Sequence, residues 1–427
     1  MIWDAEVILW NTRIGLVHQD EMSGNVFFEY DRRFTGSNIE LSPFKMPLGQ
    51  NVYSFPELKG DAFQGLPGLL ADSLPDRFGK SVLENWLIRQ GRTSDSLNAI
   101  EKLCYTGKRG MGALEYLPSI DSPWEHPASV DVNEMVLLAS EILSGREKLK
   151  GNAKDISMSQ LLEFGTSAGG ARAKAVISWN RKTGEIRSGQ TETSAEFDHY
   201  LMKFDGVKGN GDHNLKDRIE YTSIEYAYFL MAKDSGILMS DCMLWEKDGL
   251  KHFMTKRFDR KDGDKIHMQT FAALSHTDYN VPRQAGYEDA CAYLRRLGIG
   301  TSGIEQLFRR MYFNHRAYNL DDHVKNIAFL MDRKGRWSLA PAYDITFAYN
   351  PSNRWLKMHQ MTINGKGDEI TMEDILESGK NMGLSSKRIK NIIEQIDDVV
   401  SRWPEYARQC GIASKTYKAI DKILNKR

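Results

Sequence analysis

The sequence predicts an α+β protein: a β-rich N-terminal portion, a mixed middle and a mostly α-helical C-terminal lobe. Three observations carry that expectation. Short β-branched and aromatic runs, split by polar turns, fill positions 1–58. From Tyr287 onward, apolar residues recur at helical spacing. Within that helical part, 319–344 breaks the pattern with a polar loop, two short apolar passes and a second polar loop.

Taken in order, 6–10, 12–18 and 25–30 read as strands, and 49–54 adds another. Residues 63–72 are punctuated by Gly and Pro. Positions 76–90 place Phe78, Val82, Leu83, Trp86 and Leu87 at helical spacing, and Gly91 closes the helix. The Gly-rich 106–113 has no Walker pattern and reads as a tight turn. Residues 118–127 read as a linker, so the first domain is set at 1–118. The second, 119–258, opens with a helix expected over 132–165. A Gly-rich loop, 165–174, then runs into a strand at 175–179. The strand at 199–204 carries one lysine, Lys203, and a polar Gly-rich loop at 206–217 leads to a helix at 220–235. Strands at 239–245 and 251–258 end at Phe258-Asp-Arg260, where a hinge between lobes would fall. The third domain, 259–427, has helical spacing at 289–297, 303–318, 385–403 and 415–424.

Composition narrows the function classes. Lys+Arg and Asp+Glu number 57 each, which argues against autonomous DNA binding or attraction to an anionic membrane. Apolar content of 41% is that of a globular protein, and no run is long enough to span a bilayer. Cys104, Cys242, Cys291 and Cys410 are scattered without metal-like spacing and read as buried thiols of a reducing compartment. The N-terminus lacks a basic stretch followed by an apolar run, so a cytoplasmic location is expected.

The chemistry concentrates in Asn319-Leu-Asp-Asp-His-Val-Lys-Asn326 and Pro341-Ala-Tyr-Asp-Ile345. Phosphoryl transfer needs a carboxylate to take a hydroxyl proton, and an amide oxygen and a second carboxylate to hold Mg²⁺. Asp321, Asn326 and Asp344 supply that set in that order, with the Asp-to-Asn spacing of protein kinases, although His-Arg-Asp and Asp-Phe-Gly are absent. A polar turn before a β-hairpin is the plainer alternative. The loop at Ser167, Ala168, Gly169 and Gly170 would let backbone N–H groups approach phosphates. A lone strand lysine is commonly solvent-facing, but with the loop upstream and the acid cluster downstream Lys203 reads as the ATP lysine on its strand. Glu225 is more simply a solvated helix glutamate, with pairing to Lys203 as the alternative.

On these residues the chain resembles the HipA family of serine/threonine kinase toxins from bacterial toxin–antitoxin systems. The likeness runs through Phe63-Gln-Gly-Leu-Pro-Gly-Leu-Leu-Ala-Asp-Ser-Leu-Pro-Asp76, Ser167-Ala-Gly-Gly-Ala-Arg-Ala-Lys174, Arg257-Phe-Asp-Arg260, the Asp321–Asn326 loop and Leu339-Ala-Pro-Ala-Tyr-Asp344. It implies a divergent protein-kinase-like fold that uses ATP and Mg²⁺. Asp321 would be the catalytic base, and Asn326 and Asp344 the metal ligands. Lys203, Lys256, Phe258, His323 and the loop Ser167–Gly170 would hold ATP. Ser167 would be the autophosphorylation site that switches the kinase off. The implied protein substrate is an aminoacyl-tRNA synthetase. The implied partner is a small helix-turn-helix antitoxin of HipB type, through which alone DNA would be met. The chain departs from the family's best-known member in Arg172-Ala173, which replaces Gln-Glu, in Lys256 for a hinge Glu, and in Asp322 for Gly. Two other readings remain open: a pseudokinase-like module that binds the antitoxin as co-repressor, and a small-molecule phosphotransferase.

Overall fold

The computed structural model describes residues 1–89, 91–93, 97–120, 131–143, 172–189, 196–207 and 220–426. Three hydrophobic cores divide the described residues, and each forms around a different sheet or helix set.

The first core lies under a five-stranded antiparallel sheet. Its strands are β1 (Asp4–Leu9), β2 (Thr12–Gln19), β3 (Val26–Tyr30), β4 (Val52–Ser54) and β5 (Leu114–Leu117), in the order β4-β3-β2-β1-β5. Alternation in β1 turns Ala5, Val7 and Leu9 inward. The β1–β2 loop is Trp10-Asn11, both at positive φ (49° and 64°), the backbone of a two-residue turn that matches strand twist. Two helices, α1 (Gly68–Ala71) and α3 (Ala99–Thr106), cover the buried face. Asn98 starts α3 with a capping box: its side chain accepts from Glu101 N at 2.8 Å, and the Glu101 carboxylate reaches back to Asn98 N.

The second core surrounds the sheet β7-β6-β8-β10-β9, made of β6 (Lys174–Trp179), β7 (Ile186–Ser188), β8 (Asp198–Lys203), β9 (Cys242–Lys247) and β10 (Leu250–Lys256). The helices α2 (Arg77–Arg89) and α4 (Val132–Leu143) pack on it, α2 through Phe78, Val82, Leu83 and Leu87. The helix expected over 132–165 is described only to Leu143; its remainder lies outside the described residues. The helix α5 (Tyr221–Asp234) lies against β9 and β10 and joins the third core.

That third core is helical: α6 (Phe271–Ser275), α7 (Tyr287–Arg296), α8 (Thr301–Arg316), α9 (Met372–Asn381), α10 (Ser386–Ser401), α11 (Trp403–Gln409) and α12 (Ser414–Leu424). The helix expected at 385–403 ends at Ser401, and Trp403-Pro404 opens α11, where proline fits the first turn. A short hairpin, β11 (Arg260–Lys261) with β12 (Asp264–Lys265), precedes a small sheet of β13 (His267–Thr270), β14 (Ala328–Met331) and β15 (Trp337–Leu339). The β14–β15 turn forms at 332–336 as expected. Asp332 accepts from Lys334 N and Arg336 N at 2.9 and 3.0 Å, and Gly335 takes φ +76°. Phe329 of β14 faces the helical core while Met331 joins the N-terminal one, so this sheet welds the two together. All four cysteines are free thiols, three buried and Cys242 half-buried rather than buried as expected.

Candidate active site

Lys203 is the last residue of β8, and antiparallel pairing puts Lys174 and Phe253 opposite it on β6 and β10. Its ammonium meets Glu225 Oε1 of α5 and Asp344 Oδ1, each at 2.5 Å. Glu225 is therefore not the solvated glutamate that was the simpler expectation. It is 2% exposed, because α5 turns this position inward toward the sheet. Burial alone would lower the Lys203 pKa, but Asp344 and Glu225 together hold it above the ordinary lysine range. The two carboxylates diverge. Burial raises Glu225, which Asp344 also disfavours, whereas Lys203 and Lys174 outweigh burial at Asp344 and hold it below the usual range.

The loop before β14 is fixed by its backbone. Asn319 N donates to Asn314 O at the end of α8 (2.9 Å), and Leu320 N donates to Ala348 O (3.0 Å). A 3₁₀ turn, Val324–Asn326, folds the loop back so that Asn326 Nδ2 donates to Asp321 O at 2.9 Å. Tyr343 OH donates to Lys325 O at 2.6 Å and ties this loop to the segment after β15. Asp344 itself sits at φ +52°, an unusual backbone for a residue with a β-carbon.

Lys203, Lys256, Phe258, His323, Asn326 and Asp344 all line one cavity of about 110 Å³, with Leu201, Thr255 and Tyr343. The Phe258 and Tyr343 rings lie 5.8 Å apart on that lining and offer an aromatic surface to a planar base. Lys256 sends its ammonium to Asp198 at 2.7 Å and its N–H to Asp241 O, and its carbonyl accepts from Ser240 Oγ. Asp321 is half-buried beside the cavity and is not among the residues that line it. Ser167, Ala168, Gly169 and Gly170 lie outside the described residues.

The N-terminal part supplies a wall outside the expected site residues: Leu69, Asp72, Ser73, Leu74, Met111 and Leu114. Asp72 accepts Thr270 N and Thr270 Oγ1 at 2.6 and 2.8 Å, which fixes this wall to the head of α6. Four residues on, Asp76 caps α2 by accepting Gly79 N at 2.6 Å and pairs with buried Lys174 at 2.9 Å. The Gly-rich turn at 106–113 is a tight turn, as expected, and is bound to the segment 257–260. Asp259 accepts Gly112 N at 2.7 Å and both Arg257 (2.6 Å) and Arg260 (2.9 Å), while Arg260 also donates to Gly112 O. Those two guanidiniums outweigh burial and hold the Asp259 carboxyl far below its usual range.

The donor set fits a hard divalent cation. Asn326 spends its N–H on Asp321 O, which leaves its amide oxygen as the ligand atom. The ionised Asp344 carboxylate lines the same cavity.

A β-sheet with a buried lysine–glutamate pair, followed by a mostly helical part that carries an Asp-x4-Asn loop and a later aspartate, defines an α+β, kinase-like fold. The chain belongs to the HipA family: the model of the HipA-like C-terminal domain matches residues 166–403 and that of the HipA N-terminal domain residues 5–117. Among solved structures it is similar to HipA of Shewanella oneidensis MR-1, in a toxin–antitoxin complex with HipB and operator DNA. The TM-score is 0.69 at 15% identity, over 99% of this chain and 95% of that one. A proinflammatory kinase of Helicobacter pylori, CtkA, also matches, at 13% identity and TM-score 0.36 over 54% of this chain and 86% of that one. Comparison with curated proteins finds no match. No helix among the described residues is long and apolar enough to cross a membrane.

Proposed function

We propose that the protein is an ATP- and Mg²⁺-dependent serine/threonine protein kinase, the toxin of a HipA-type toxin–antitoxin system. The observation that carries this reading is the single cavity on which Lys203, paired to Glu225, converges with Asn326 and Asp344 beside the Asp321 loop. In the reaction, Asp321 accepts the proton of a substrate hydroxyl as that oxygen forms a bond to the γ-phosphorus and the bond to the leaving ADP oxygen breaks. Lys203 exchanges its contact with Asp344 for phosphate oxygens while Glu225 keeps it in place. Asn326 Oδ1 and Asp344 would hold Mg²⁺, which when bound would neutralise charge on the transferring phosphate. Phe258 and Tyr343 receive the base, and Lys256 and His323 border it. The family resemblance assigns phosphate contact to 167–170 and autophosphorylation to Ser167.

Family resemblance supports the rest: an aminoacyl-tRNA synthetase as substrate, a HipB-type helix-turn-helix antitoxin as partner, DNA met only through that antitoxin, and action in the cytoplasm. The Shewanella protein's assembly with HipB and operator DNA supports the partner.

Intact mass after incubation with ATP and Mg²⁺ tests the reading. One phosphate gained by wild type, and by neither Asp321→Ala nor Ser167→Ala, is expected. Gain in Ser167→Ala but not Asp321→Ala keeps the kinase and moves the modified site. Gain in Asp321→Ala, or none in any protein when peptide mapping finds no phosphate carried over from expression, overturns the reading.

A further inference from the structure

Beside the base assigned to Asp321 stands a second carboxylate that the chemistry does not use. Asp322 is 2% exposed and lines none of the nucleotide cavity. Its carboxylate accepts three hydrogen bonds from residues distant in sequence. Tyr287 OH of α7 reaches Oδ2 at 2.8 Å, His359 Nδ1 reaches the same oxygen at 2.7 Å, and Gln360 N reaches Oδ1 at 2.8 Å. Burial would raise its pKa, but His359 and these hydrogen bonds prevail and hold it below the usual carboxylate range. The anchors are themselves held. Asn314 Nδ2 of α8 donates to Tyr287 OH at 3.0 Å, and Asn319 Nδ2 donates to Asn314 Oδ1 at 2.9 Å. The His315 and His359 rings stack with centroids 5.6 Å apart. The network thus joins two helices, the start of the Asp321 loop and the segment that follows Asp344.

We infer that Asp322 is a positioning residue for Asp321: it pins the peptide that carries the base to the rigid helical core. This inference rests on the kinase reading above. The base is gripped from both sides, since Asn326 Nδ2 holds the Asp321 carbonyl while Asp322, the next residue, is clamped by Tyr287, His359 and Gln360. A peptide fixed at its carbonyl and at the following side chain has little freedom to swing its own carboxylate, and misplacing a reacting group by about 1 Å costs on the order of 10²-fold in rate. Phosphoryl transfer itself asks nothing of this position, so Asp322 acts on geometry and not on bond-making.

The test compares full-length wild type, Asp321→Ala, Asp322→Asn, Tyr287→Phe and the Tyr287→Phe/Asp322→Asn double variant. Asparagine keeps the size and one acceptor for Gln360 N but removes the charge and an acceptor shared by Tyr287 and His359. With phosphate transfer normalised to ATP-binding-competent protein, Asp322→Asn should lower kcat by about 10- to 100-fold while KM for ATP stays within about threefold. Tyr287→Phe should fall between it and wild type. The double variant should be no slower than Asp322→Asn alone, because both changes disable one network. A role in stability alone would leave normalised kcat unchanged. An arm independent of activity is amide hydrogen exchange: peptides covering 319–327 should exchange about tenfold faster in Asp322→Asn while those of β8 and β10 keep their wild-type rates. Unchanged exchange over 319–327, or equal acceleration throughout the chain, overturns the inference even if wild type transfers no phosphate, an outcome that would sink the kinase reading separately. Wild-type kcat in Asp322→Asn beside an inactive Asp321→Ala overturns the positioning role and leaves the kinase standing.

Discussion

Replacing Lys203 by Met probes the buried charges that the site depends on, by a route independent of catalysis. The side chains of Lys203 and Glu225 are 12% and 3% exposed, and the ammonium is shared between Glu225 and Asp344 at 2.5 Å each. Methionine preserves the stem and removes the only cation in contact with Glu225 among the described ion pairs. Removing one partner of a buried pair costs about 3–5 kcal/mol, which at about 2–4 °C per kcal/mol for a lobe of this size is roughly 10 °C in Tm. The pH dependence separates this cause from simple loss of packing. Lys203 is held above the ordinary lysine range, so its contribution is complete at neutral pH and is lost only as pH rises through its folded pKa. Glu225 is already raised by burial, with Lys203 the main influence lowering it. Once Lys203 is gone, Glu225 rises further and must bind a proton to stay buried. A raised carboxyl costs stability above its unfolded pKa, so the deficit of Lys203→Met should shrink as pH falls from about 8 to about 5. Adding Glu225→Gln should restore part of the lost stability at neutral pH, since the unpaired charge on Glu225 is then gone while Asp344 still lacks Lys203. Thermal unfolding at several pH values reads all three. A Tm within about 1 °C of wild type, a deficit independent of pH, or no rescue by Glu225→Gln would each refute the reasoning.

Two further predictions test how the N-terminal part is joined to the lobes. A β-carbon on Gly68 would lie 2.1 Å from Ala273 O and 2.7 Å from its carbonyl carbon, both main-chain atoms of α6 that cannot rotate away. Gly68→Ala should therefore lower stability by about 1–3 kcal/mol. It should also weaken ATP binding measured by calorimetry, because the adjacent Leu69 lines the cavity; unchanged affinity would mean that this wall does not meet the nucleotide. Asp259→Asn leaves Arg257 and Arg260 sharing no buried carboxylate and should cost about 3–5 kcal/mol at neutral pH. Because the wild-type carboxyl is held below its ordinary value, the difference should be full above that value and narrow as pH falls through it; a constant difference down to about pH 3 would count against the assignment.

What the sequence disclosed is what short-range pattern can encode. Alternation in β1 and β2, the turn at 332–336 and the 3.6-residue spacing of α8 and α10 are each decided within a few residues. So is the Asp321–Asn326 loop, whose spacing suffices to return the Asn326 side chain to Asp321 O. Glu225 was the informative error. A glutamate within a helix is solvated unless something remote neutralises it, and its cation lies on a strand that helix periodicity does not reveal. The strand β13 was hidden because His267, Gln269 and Thr270 occupy buried positions, so hydrophobic alternation fails where burial holds.

The larger omission concerns which parts of the chain build the cavity. The motifs place the nucleotide contacts in the middle and C-terminal portions, as any two-lobed kinase would suggest. Yet the segment from Gly68 to Asp76 reaches both lobes within a few residues: Gly68 N and Asp72 meet His276 and Thr270 beside the helical core, while Asp76 meets Lys174 on the sheet. Gly110 and Gly112 are in turn bound to Arg257, Asp259 and Arg260, so the N-terminal part also holds the segment that links the sheet to the helical core. Removing the N-terminal part would uncover Leu201, Thr255 and Phe258 on the cavity lining and would take from Lys174 its buried counter-charge Asp76, while Arg257 would keep Asp259. One wall of the cavity, and the counter-charge of the lysine opposite Lys203, therefore come from outside the segments that carry the motifs.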